Sequence, residues 1–417
     1  MTSPDMARLP LDRIEAALRK TTEVLASELA TPSRTTPDWT DFEWCIAHAA
    51  AAMHGVSPLL SSSLRWRGPE DWQRFLDEQR SHTLERHRRI VQSLTEIGTR
   101  AALDGIAVTP LKGAALHELG IYQPGERPMS DIDLLVRAAD LQATSTLLEA
   151  CGYRHAYSTW KHEVFAPETG TNTIGFGEHA CNPIKIELHT RVMERMPVVA
   201  RDISALIFPS RPVAGLNGYP SIAALMLHVL THAAGNMCTR GLRLLHLHDI
   251  ALLSRRMTSN DWNDVFAAVN GQASWWISPP LTMTALYYAD AIPASIVARG
   301  ASECRWLLRR FYRRRRLCDV SLSNLWIRAF PGIEWASSTQ EALRYAMRRV
   351  KPDKEVLLGR GKVLELHPGW ARFSWTRLPQ WRRIARWVFH RPARIETLTC
   401  VCAALARPDT QPAITQP

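Results

Sequence analysis

Asp131 and Asp133 lie two positions apart in the segment SDIDLLV, whose apolar residues are typical of a strand. Because side chains on a strand alternate between its two faces, both carboxylates are predicted to project from the same face. Neighbouring carboxylates repel each other unless a cation lies between them. Mg²⁺ binds through one or two carboxylates together with the phosphates of a substrate. The spacing therefore predicts a divalent-metal site for a phosphate-bearing substrate; the alternative is a pair of solvated acids on an edge strand.

A third acid, Glu187, lies in the later segment KIELH, where apolar and polar residues also alternate. This alternation places Lys185, Glu187 and His189 on one face of a predicted strand. Two acids from one strand and a third from a neighbouring strand form the set that two-metal phosphoryl or nucleotidyl transfer needs. Glu187 is predicted to bind metal or to accept the proton of an attacking hydroxyl. His189 could contact phosphate, orient Glu187 or be a hydrogen-bonded structural residue.

A glycine turn upstream of the aspartates carries groups that could bind phosphate. Lys112 and Gly113 lie where a predicted strand passes into a predicted helix, and the N–H groups at the start of a helix are available to phosphate oxygens. Arg127 and Ser130 precede the aspartates closely enough to line the same pocket, although either could instead only shape the turn.

The elements that must position these groups alternate in type. The hydrophobic periodicity predicts, in order, a strand at 106–111, a helix at 114–119, a strand at 132–136 and a helix at 138–151. The residues that follow, 154–192, have the composition of an extended hairpin region. This succession indicates a sheet covered by helices.

The segments LKGAAL, RPMSDIDLLV and IELH, in this order, resemble the uncharacterised nucleotidyltransferase family of the DNA polymerase β superfamily. The resemblance is strongest over 108–153, extends to Arg191 and continues weakly over 225–253. It implies an α+β fold: a minimal nucleotidyltransferase mixed sheet with flanking helices, preceded and followed by mainly helical regions. The superfamily pattern is a Gly-Ser turn, a D-x-D strand and a third acid. Here Gly113 is followed by Ala114, so the serine hydroxyl is missing and Lys112 could replace it as a point charge.

The resemblance and the acids together predict an enzyme that uses Mg²⁺ or Mn²⁺. Asp131 and Asp133 would hold one ion, and a second ion would bridge them to Glu187. The substrate is a nucleoside triphosphate, with ATP expected, whose nucleoside monophosphate moves to a hydroxyl of an acceptor. Small molecules, peptides, proteins and RNA are all open as acceptors. Two alternatives remain: a binding or scaffold protein with a decayed site, favoured by the missing serine, and a γ-phosphoryl transferase that uses the same acids.

The composition is that of a globular protein, with 46% hydrophobic and 22% charged residues in 417. We predict four regions: N-terminal helices at 1–104, the nucleotidyltransferase core at 105–215, a helical cap at 216–298 and a basic helical region at 299–417. The polar start of the chain has no signal-peptide pattern, no apolar run is expected to reach the length of a membrane span, and the eight cysteines are scattered. These features predict a cytoplasmic protein with reduced cysteines.

The N-terminal region is predicted to be helical with breaks at 32–37 and 57–63, where proline and serine cluster. Within it, Arg86, Arg88 and Arg89 could reach a phosphate, but a solvated helix face is the favoured interpretation.

In the cap, His228 and His232 share a helix face at i, i+4 without the glutamate of a metalloprotease motif, which disfavours zinc. Four other polar residues of the cap are candidates either for substrate contact or for helix packing: Arg243, His246, His248 and Asp249.

The basic charge is concentrated near the C-terminus. Residues 299–396 carry 23 Lys and Arg against 8 Asp and Glu, a net charge of +15 compared with +11 for the whole chain. Four tryptophans are interleaved with arginines there: Trp370, Trp375, Trp381 and Trp387, among Arg372, Arg377, Arg382, Arg383 and Arg386. Arginine stems that cover a small helical core are the favoured account. Contact with an anionic membrane surface ranks second, with a protein peripheral to the membrane, and RNA binding ranks third.

Overall fold

The computed structural model describes residues 10–168, 176–269, 274–352, 357 and 378–407. The N-terminal region forms four helices: α1 (Leu11–Ala30), α2 (Asp41–Met53), α3 (Ser57–Ser63) and α4 (Glu70–Leu103). The chain is non-helical over 32–37, as predicted. The predicted break at 57–63 is wrong because Pro58 lies in the first turn of α3, where a missing N–H removes no helical hydrogen bond.

The core contains a mixed six-stranded sheet in the order β3-β4-β5-β2-β1-β8. Its strands are β1 (Ala107–Pro110), β2 (Asp131–Leu135), β3 (Tyr153–Ser158), β4 (Glu163–Pro167), β5 (Lys185–His189) and β8 (Gly215–Leu216). Strand β2 pairs parallel with β5 and antiparallel with β1. A two-stranded sheet pairs β6 (Met193–Arg195) with β7 (Ala200–Asp202). Three helices accompany these strands: α5 (Gly113–Glu118), α6 (Leu141–Ala150) and α7 (Ser204–Ile207). The predicted α+β fold with flanking helices is confirmed.

The two faces of the central strands differ in chemistry because their sequences alternate. Ile132 and Leu134 of β2 and Ile186 and Leu188 of β5 are buried in one apolar cluster, which also includes residues of α4 and α6. Full burial of each such side chain contributes roughly 1.5–3 kcal/mol. The intervening positions point to the opposite face and carry the acids. The apolar face therefore fixes the register that brings the polar side chains together.

The region after the core is helical. Its helices are α8 (Ile222–Thr239), α9 (Leu244–Ser254), α10 (Ser259–Val269), α11 (Ser278–Tyr287), α12 (Ala294–Glu303), α13 (Trp306–Tyr312), α14 (Leu317–Val320), α15 (Thr339–Val350), α16 (Gln380–Phe389) and α17 (Ile395–Leu405). The four-part division of the chain stays a prediction. The eight cysteines are not joined in disulfide bonds.

Helix α8 corrects one expectation. With 18 residues and a mean hydropathy of 1.2, Ile222–Thr239 is long and apolar enough to span a membrane, and it is the one such helix among the described residues. However, 78% of this helix is buried inside the protein, as is typical of a core helix.

Helix α17 returns to the start of the chain and packs against α2. Leu398 and Val401 share a buried cluster with Ile14 of α1 and Ile46 of α2. Cys400 also donates a hydrogen bond to the carbonyl of Ala49. The first two helices therefore complete their core with residues from the far end of the sequence.

The basic C-terminal region shows two kinds of tryptophan. Trp387 is 6% exposed and lies under the guanidinium groups of Arg349 and Arg383, at 4.7 Å and 5.6 Å from its ring centroid. This arrangement agrees with arginine stems covering a helical core. Trp381, by contrast, is 63% exposed. Four residues of the predicted Trp/Arg pattern lie outside the described residues: Trp370, Trp375, Arg372 and Arg377.

Candidate active site

A cavity of about 420 Å³ opens on the polar face of the sheet. Its size falls within the range of small-molecule sites, roughly 300–1,000 Å³. Seven residues predicted to take part in chemistry line it: Lys112, Gly113, Arg127, Ser130, Asp131, Asp133 and Glu187. Residues of α8 and α9, among them His232 and His246, also line it. The structure therefore brings residues from distant parts of the chain into one space.

Pairing between β2 and β5 brings the three acids together. Asp133 is the direct cross-strand neighbour of Glu187, and Asp131 is that of Lys185. The Nε2 atom of His189 lies 3.0 Å from Asp133 Oδ1 and 3.7 Å from Glu187 Oε2, so both carboxylates reach the same ring nitrogen. This convergence is what the alternating pattern of the two strands predicts.

The acids carry more negative charge than the site neutralises. Burial, together with the charges of Asp133 and Glu187, raises the pKa of Asp131 to about 7, although its side chain keeps some exposure at the cavity wall. Burial opposes ionisation of Asp133 as well, but the Lys112 ammonium and the bond to His189 outweigh burial and hold the pKa of Asp133 well below its usual range. The site is thus poised to take up further positive charge.

Lys112 provides the cation that the chain itself contributes. Its Nζ lies 3.0 Å from Asp133 Oδ1, and although burial acts in the opposite direction, the three carboxylates raise the pKa of Lys112. Its backbone has φ 45° and ψ −108°, a conformation that costs an L residue roughly 1–3 kcal/mol. The Lys112 N–H donates to Tyr219 Oη at 3.2 Å, and Tyr219 Oη lies 2.7 Å from Nδ1 of His228. These contacts hold the strained turn in place.

A family model described as uncharacterised nucleotidyltransferase matches residues 40–275. The match covers more than half of the chain and includes every cavity residue named above. The chain belongs to this family. No curated protein and no solved structure matches it. Membership supports a generic role in nucleotidyl transfer, and the resemblance of the three segments is confirmed.

In this member of the nucleotidyltransferase family, the Arg127 side chain packs directly against the glycine turn. A Cβ added at Gly113 would lie 2.4 Å from Arg127 Nη1 and 2.8 Å from Met129 Sδ. Only glycine fits there without displacing the guanidinium. Arg127 Nη1 therefore lies against the turn at which the family resemblance places the phosphate contacts.

A buried ion pair fixes the position of Arg127. Its Nε and Nη2 atoms donate to the two carboxylate oxygens of Asp249 in α9, at 2.8 Å and 2.7 Å. Tyr122 Oη donates to the same carboxylate at 2.7 Å. Asp249 is thus a packing residue that joins the cap to the core, one of the two roles predicted for it. Arg127 both lines the cavity and shapes the turn.

Ser130 and Arg86 shape the segment before the aspartates. Ser130 Oγ donates to Asp131 Oδ2 at 3.2 Å. Arg86 is 2% exposed and donates from Nη2 to the carbonyls of Met129 and Ser130, at 2.9 Å and 3.2 Å. The solvated face predicted for this helix holds for the exposed Arg88 and is wrong for Arg86. Charge patterning alone could not show that a loop from another part of the chain covers α4 at this point.

His162 is a site residue that was not predicted from the sequence. This residue precedes β4, whose Val164 pairs with Glu187, and its Nδ1 lies 3.3 Å from Glu187 Oε2. Burial lowers the pKa of His162 to about 4, so the ring is neutral. The rings of His162 and His189 meet edge to face with centroids 4.8 Å apart. No local signal marks His162, because its role depends on the pairing of two distant strands.

The cap histidines separate into two groups. His232 and His246 line the cavity with Arg243, whereas His228 and His248 are buried with the hydroxyls of Tyr219 and Tyr288. Within the part of the chain that the structure describes, neither His228 nor His232 belongs to a close group of three metal-binding side chains.

Proposed function

We propose that this protein is a divalent-metal-dependent nucleotidyltransferase of the DNA polymerase β superfamily. It moves a nucleoside monophosphate from a nucleoside triphosphate, with ATP the expected donor, to a hydroxyl of an acceptor. One observation carries the proposal: the carboxylates of Asp131, Asp133 and Glu187 share one face of the sheet and line the same cavity beside Lys112. The family membership supports the same reaction class.

The site fits Mg²⁺ or Mn²⁺. Its acids present a set of oxygen donors. Burial and the charges of Asp133 and Glu187 raise the pKa of Asp131, and added positive charge would favour its ionised form. We propose that Asp131, Asp133 and Glu187 hold the metal. When bound, a divalent ion neutralises the phosphate oxygens and orients the triphosphate.

Other residues of the cavity position the phosphates. The Lys112 ammonium supplies a point charge, and the Gly113 N–H lies at the start of α5. Arg127 is held rigidly by Asp249, so it can present its Nη1 edge without losing side-chain freedom on binding. Ser130 steers Asp131 through its hydrogen bond.

In the proposed transfer, two bonds form and two bonds break. The acceptor hydroxyl gives its proton to the Glu187 carboxylate while its oxygen bonds to the α-phosphorus. The bond between the α-phosphorus and the bridging oxygen breaks, and pyrophosphate leaves. Positioning and charge neutralisation provide the rate enhancement, since phosphoryl centres need little covalent help from the protein.

Labelling tests this reaction. The full-length protein is incubated with each α-³²P-labelled nucleotide, with Mg²⁺ or Mn²⁺, and with a lysate that is then fractionated into small molecules, RNA and protein. We expect label in one fraction and release of pyrophosphate, which names the acceptor class. Transfer of γ-³²P with release of a nucleoside diphosphate would contradict the proposal in favour of a γ-phosphoryl transferase. Absence of Mg-nucleotide binding in calorimetry would favour the decayed scaffold.

We further propose that the basic C-terminal region keeps this cytoplasmic protein at an anionic membrane surface, with RNA as the alternative partner. Trp381 and Phe389 of α16 are 63% and 77% exposed, and Arg382 and Arg386 line a surface groove together with Phe389. Exposed rings beside arginines suit a negatively charged interface, where each basic residue contributes about 1 kcal/mol.

Sedimentation with vesicles tests the membrane contact. The protein is expected to sediment with vesicles containing anionic lipid and to stay in solution with zwitterionic ones. The double substitution Trp381→Ala/Phe389→Ala should reduce binding, whereas Leu103→Ala, at an 82% exposed position of α4, should not. Equal binding by the double variant, or binding to single-stranded RNA in place of vesicles, would count against the membrane.

A further inference from the structure

Glu187 and two histidines beside it form a group of three side chains that the proposed reaction does not use as a unit. One ligand atom from each of His162, Glu187 and His189 lies within 4.8 Å of the other two. His162 Nδ1 is 3.3 Å and His189 Nε2 is 3.7 Å from the same atom, Glu187 Oε2. Both imidazoles therefore approach a single carboxylate oxygen.

The two distances to Glu187 Oε2 are close to those between ligands of one metal ion. With metal–nitrogen and metal–oxygen bonds of about 2.1 Å, two ligands of a tetrahedral ion lie about 3.4 Å apart. The two observed separations lie close to that value. The donors come from β5 and from the residue before β4, two strands that are paired in the sheet. Backbone pairing therefore fixes which residues lie next to one another at this point of the sheet.

One atom in this group lacks the contact expected of it. His162 Nδ1 is buried and has no hydrogen-bond partner among the described residues, although it lies 3.3 Å from a carboxylate oxygen. A buried polar atom without a partner costs roughly 1–3 kcal/mol. A cation between His162 Nδ1 and Glu187 Oε2 would satisfy both atoms.

We propose that His162, Glu187 and His189 form a binding site for a divalent transition-metal ion, which shares the Glu187 carboxylate with the oxygen-rich site at Asp131 and Asp133. Two histidines and one carboxylate are the donors that Zn²⁺, Fe²⁺ and Mn²⁺ accept, whereas Mg²⁺ prefers oxygen. Asp133 Oδ1 lies 3.0 Å from His189 Nε2, so the two sites are adjacent. This binding can be measured without nucleotide, so the inference goes beyond the proposed transfer reaction and does not depend on it.

The competing account needs no metal. In it, a protonated His189 forms an ion pair with Asp133 and Glu187, and His162 only packs against its ring. The two accounts differ in one measurable respect, which is whether a bound ion has nitrogen ligands.

Mn²⁺ is the probe that separates them. The full-length protein is freed of metal with a chelator and loaded with Mn²⁺ alone, and pulsed electron paramagnetic resonance then detects ¹⁴N nuclei bonded to the ion. We expect nitrogen coupling in the wild type. His162→Ala should reduce this coupling and weaken Mn²⁺ binding at least 10-fold, a loss on the scale seen when support of a metal site is removed. His155→Ala, at an exposed histidine of β3, should leave both unchanged.

Further variants keep the outcome clear. His162→Gln replaces the ring with a side chain of similar reach and should also lose coupling, and the wild-type spectrum decides even if both variants unfold. Bound Mn²⁺ without nitrogen coupling, or coupling equal in the wild type and a folded His162 variant, would overturn the proposal. In Asp131→Asn the nitrogen coupling should persist although nucleotide transfer is lost. Failure of the transfer reaction and failure of this metal site are therefore distinguishable.

Discussion

Asp131→Asn is expected to abolish nucleotide transfer and, at the same time, to make the metal-free protein more stable. The same crowding of carboxylates causes both effects. The lost carboxylate is one of the three proposed metal ligands, and removal of a group that stabilises transition-state charge costs on the order of 10²- to 10³-fold in rate. Without metal, however, the Asp131 carboxylate is buried and is repelled by Asp133 and Glu187, and the neutral amide removes both penalties.

The sign of the stability change depends on pH. The pKa of Asp131 in the folded protein, about 7, lies above its unfolded value of 3.8, so the folded state resists a charge that the unfolded state carries freely above pH 3.8. The penalty is therefore full at pH 7 and above and is absent below about pH 4. Because Asp131 is partly exposed, we expect Asp131→Asn to remove about 1 kcal/mol of this penalty. The melting temperature should then rise by roughly 2 °C.

Thermal unfolding in the presence of a chelator, at pH 8 and pH 4, measures the change in melting temperature. The labelling assay measures the loss of nucleotide transfer. Asp104→Asn, at an exposed aspartate after α4, is the matched control and should change neither quantity. Full transfer by Asp131→Asn would remove Asp131 from the proposed mechanism. A lower melting temperature at pH 8 would show that the three carboxylates are not crowded as described.

Asp249→Leu is expected to cause the largest loss of stability among single substitutions near the cavity. Asp249 is 3% exposed and accepts hydrogen bonds from Nε and Nη2 of Arg127. Its removal therefore leaves the buried guanidinium of Arg127 without its charged partner. Such a loss costs about 3–5 kcal/mol. Transfer should fall as well, because the guanidinium beside Gly113 is no longer held in place. Denaturant titration and the labelling assay measure the two effects.

The double substitution Arg127→Met/Asp249→Leu separates these effects. Removing both charges replaces the ion pair with apolar side chains, so most of the lost stability should return. Transfer should stay low, because no cation remains at the turn. A double variant as unstable as Asp249→Leu would show that the charge pair is not the source of the instability. Recovered transfer would show that Arg127 does not take part in phosphate binding.

The acids could be predicted from the sequence because their arrangement is local. Two residues on one strand share a face by geometry, and the alternation around Glu187 gives its face in the same way. Arg86 and His162 could not be predicted. Arg86 binds carbonyls of a loop more than forty residues away, and His162 reaches Glu187 only because β4 pairs with β5. A charge pattern or a single histidine contains no information on such distant pairings.

Among the helices, too, some features follow from the local sequence and others depend on distant contacts. The capping box of α2, in which Thr40 accepts the Glu43 N–H and the Glu43 carboxylate accepts the Thr40 N–H, is readable from spacing alone. The break predicted at 57–63 was wrong because proline is compatible with the first turn of a helix as well as with a break. The burial of α8 also depends on helices that follow it, so its apolar composition alone does not distinguish a core helix from a membrane span.

The packing of α17 on α2 has a consequence for synthesis on the ribosome. Cys400 and its partner Ala49 are separated by 351 positions. When α1 and α2 emerge, the side chains of α17 that will cover Ile14 and Ile46 have not yet been translated, so these helices expose an apolar surface until α17 has been made. Helices α1 and α2 are thus translated long before the helix that completes their core.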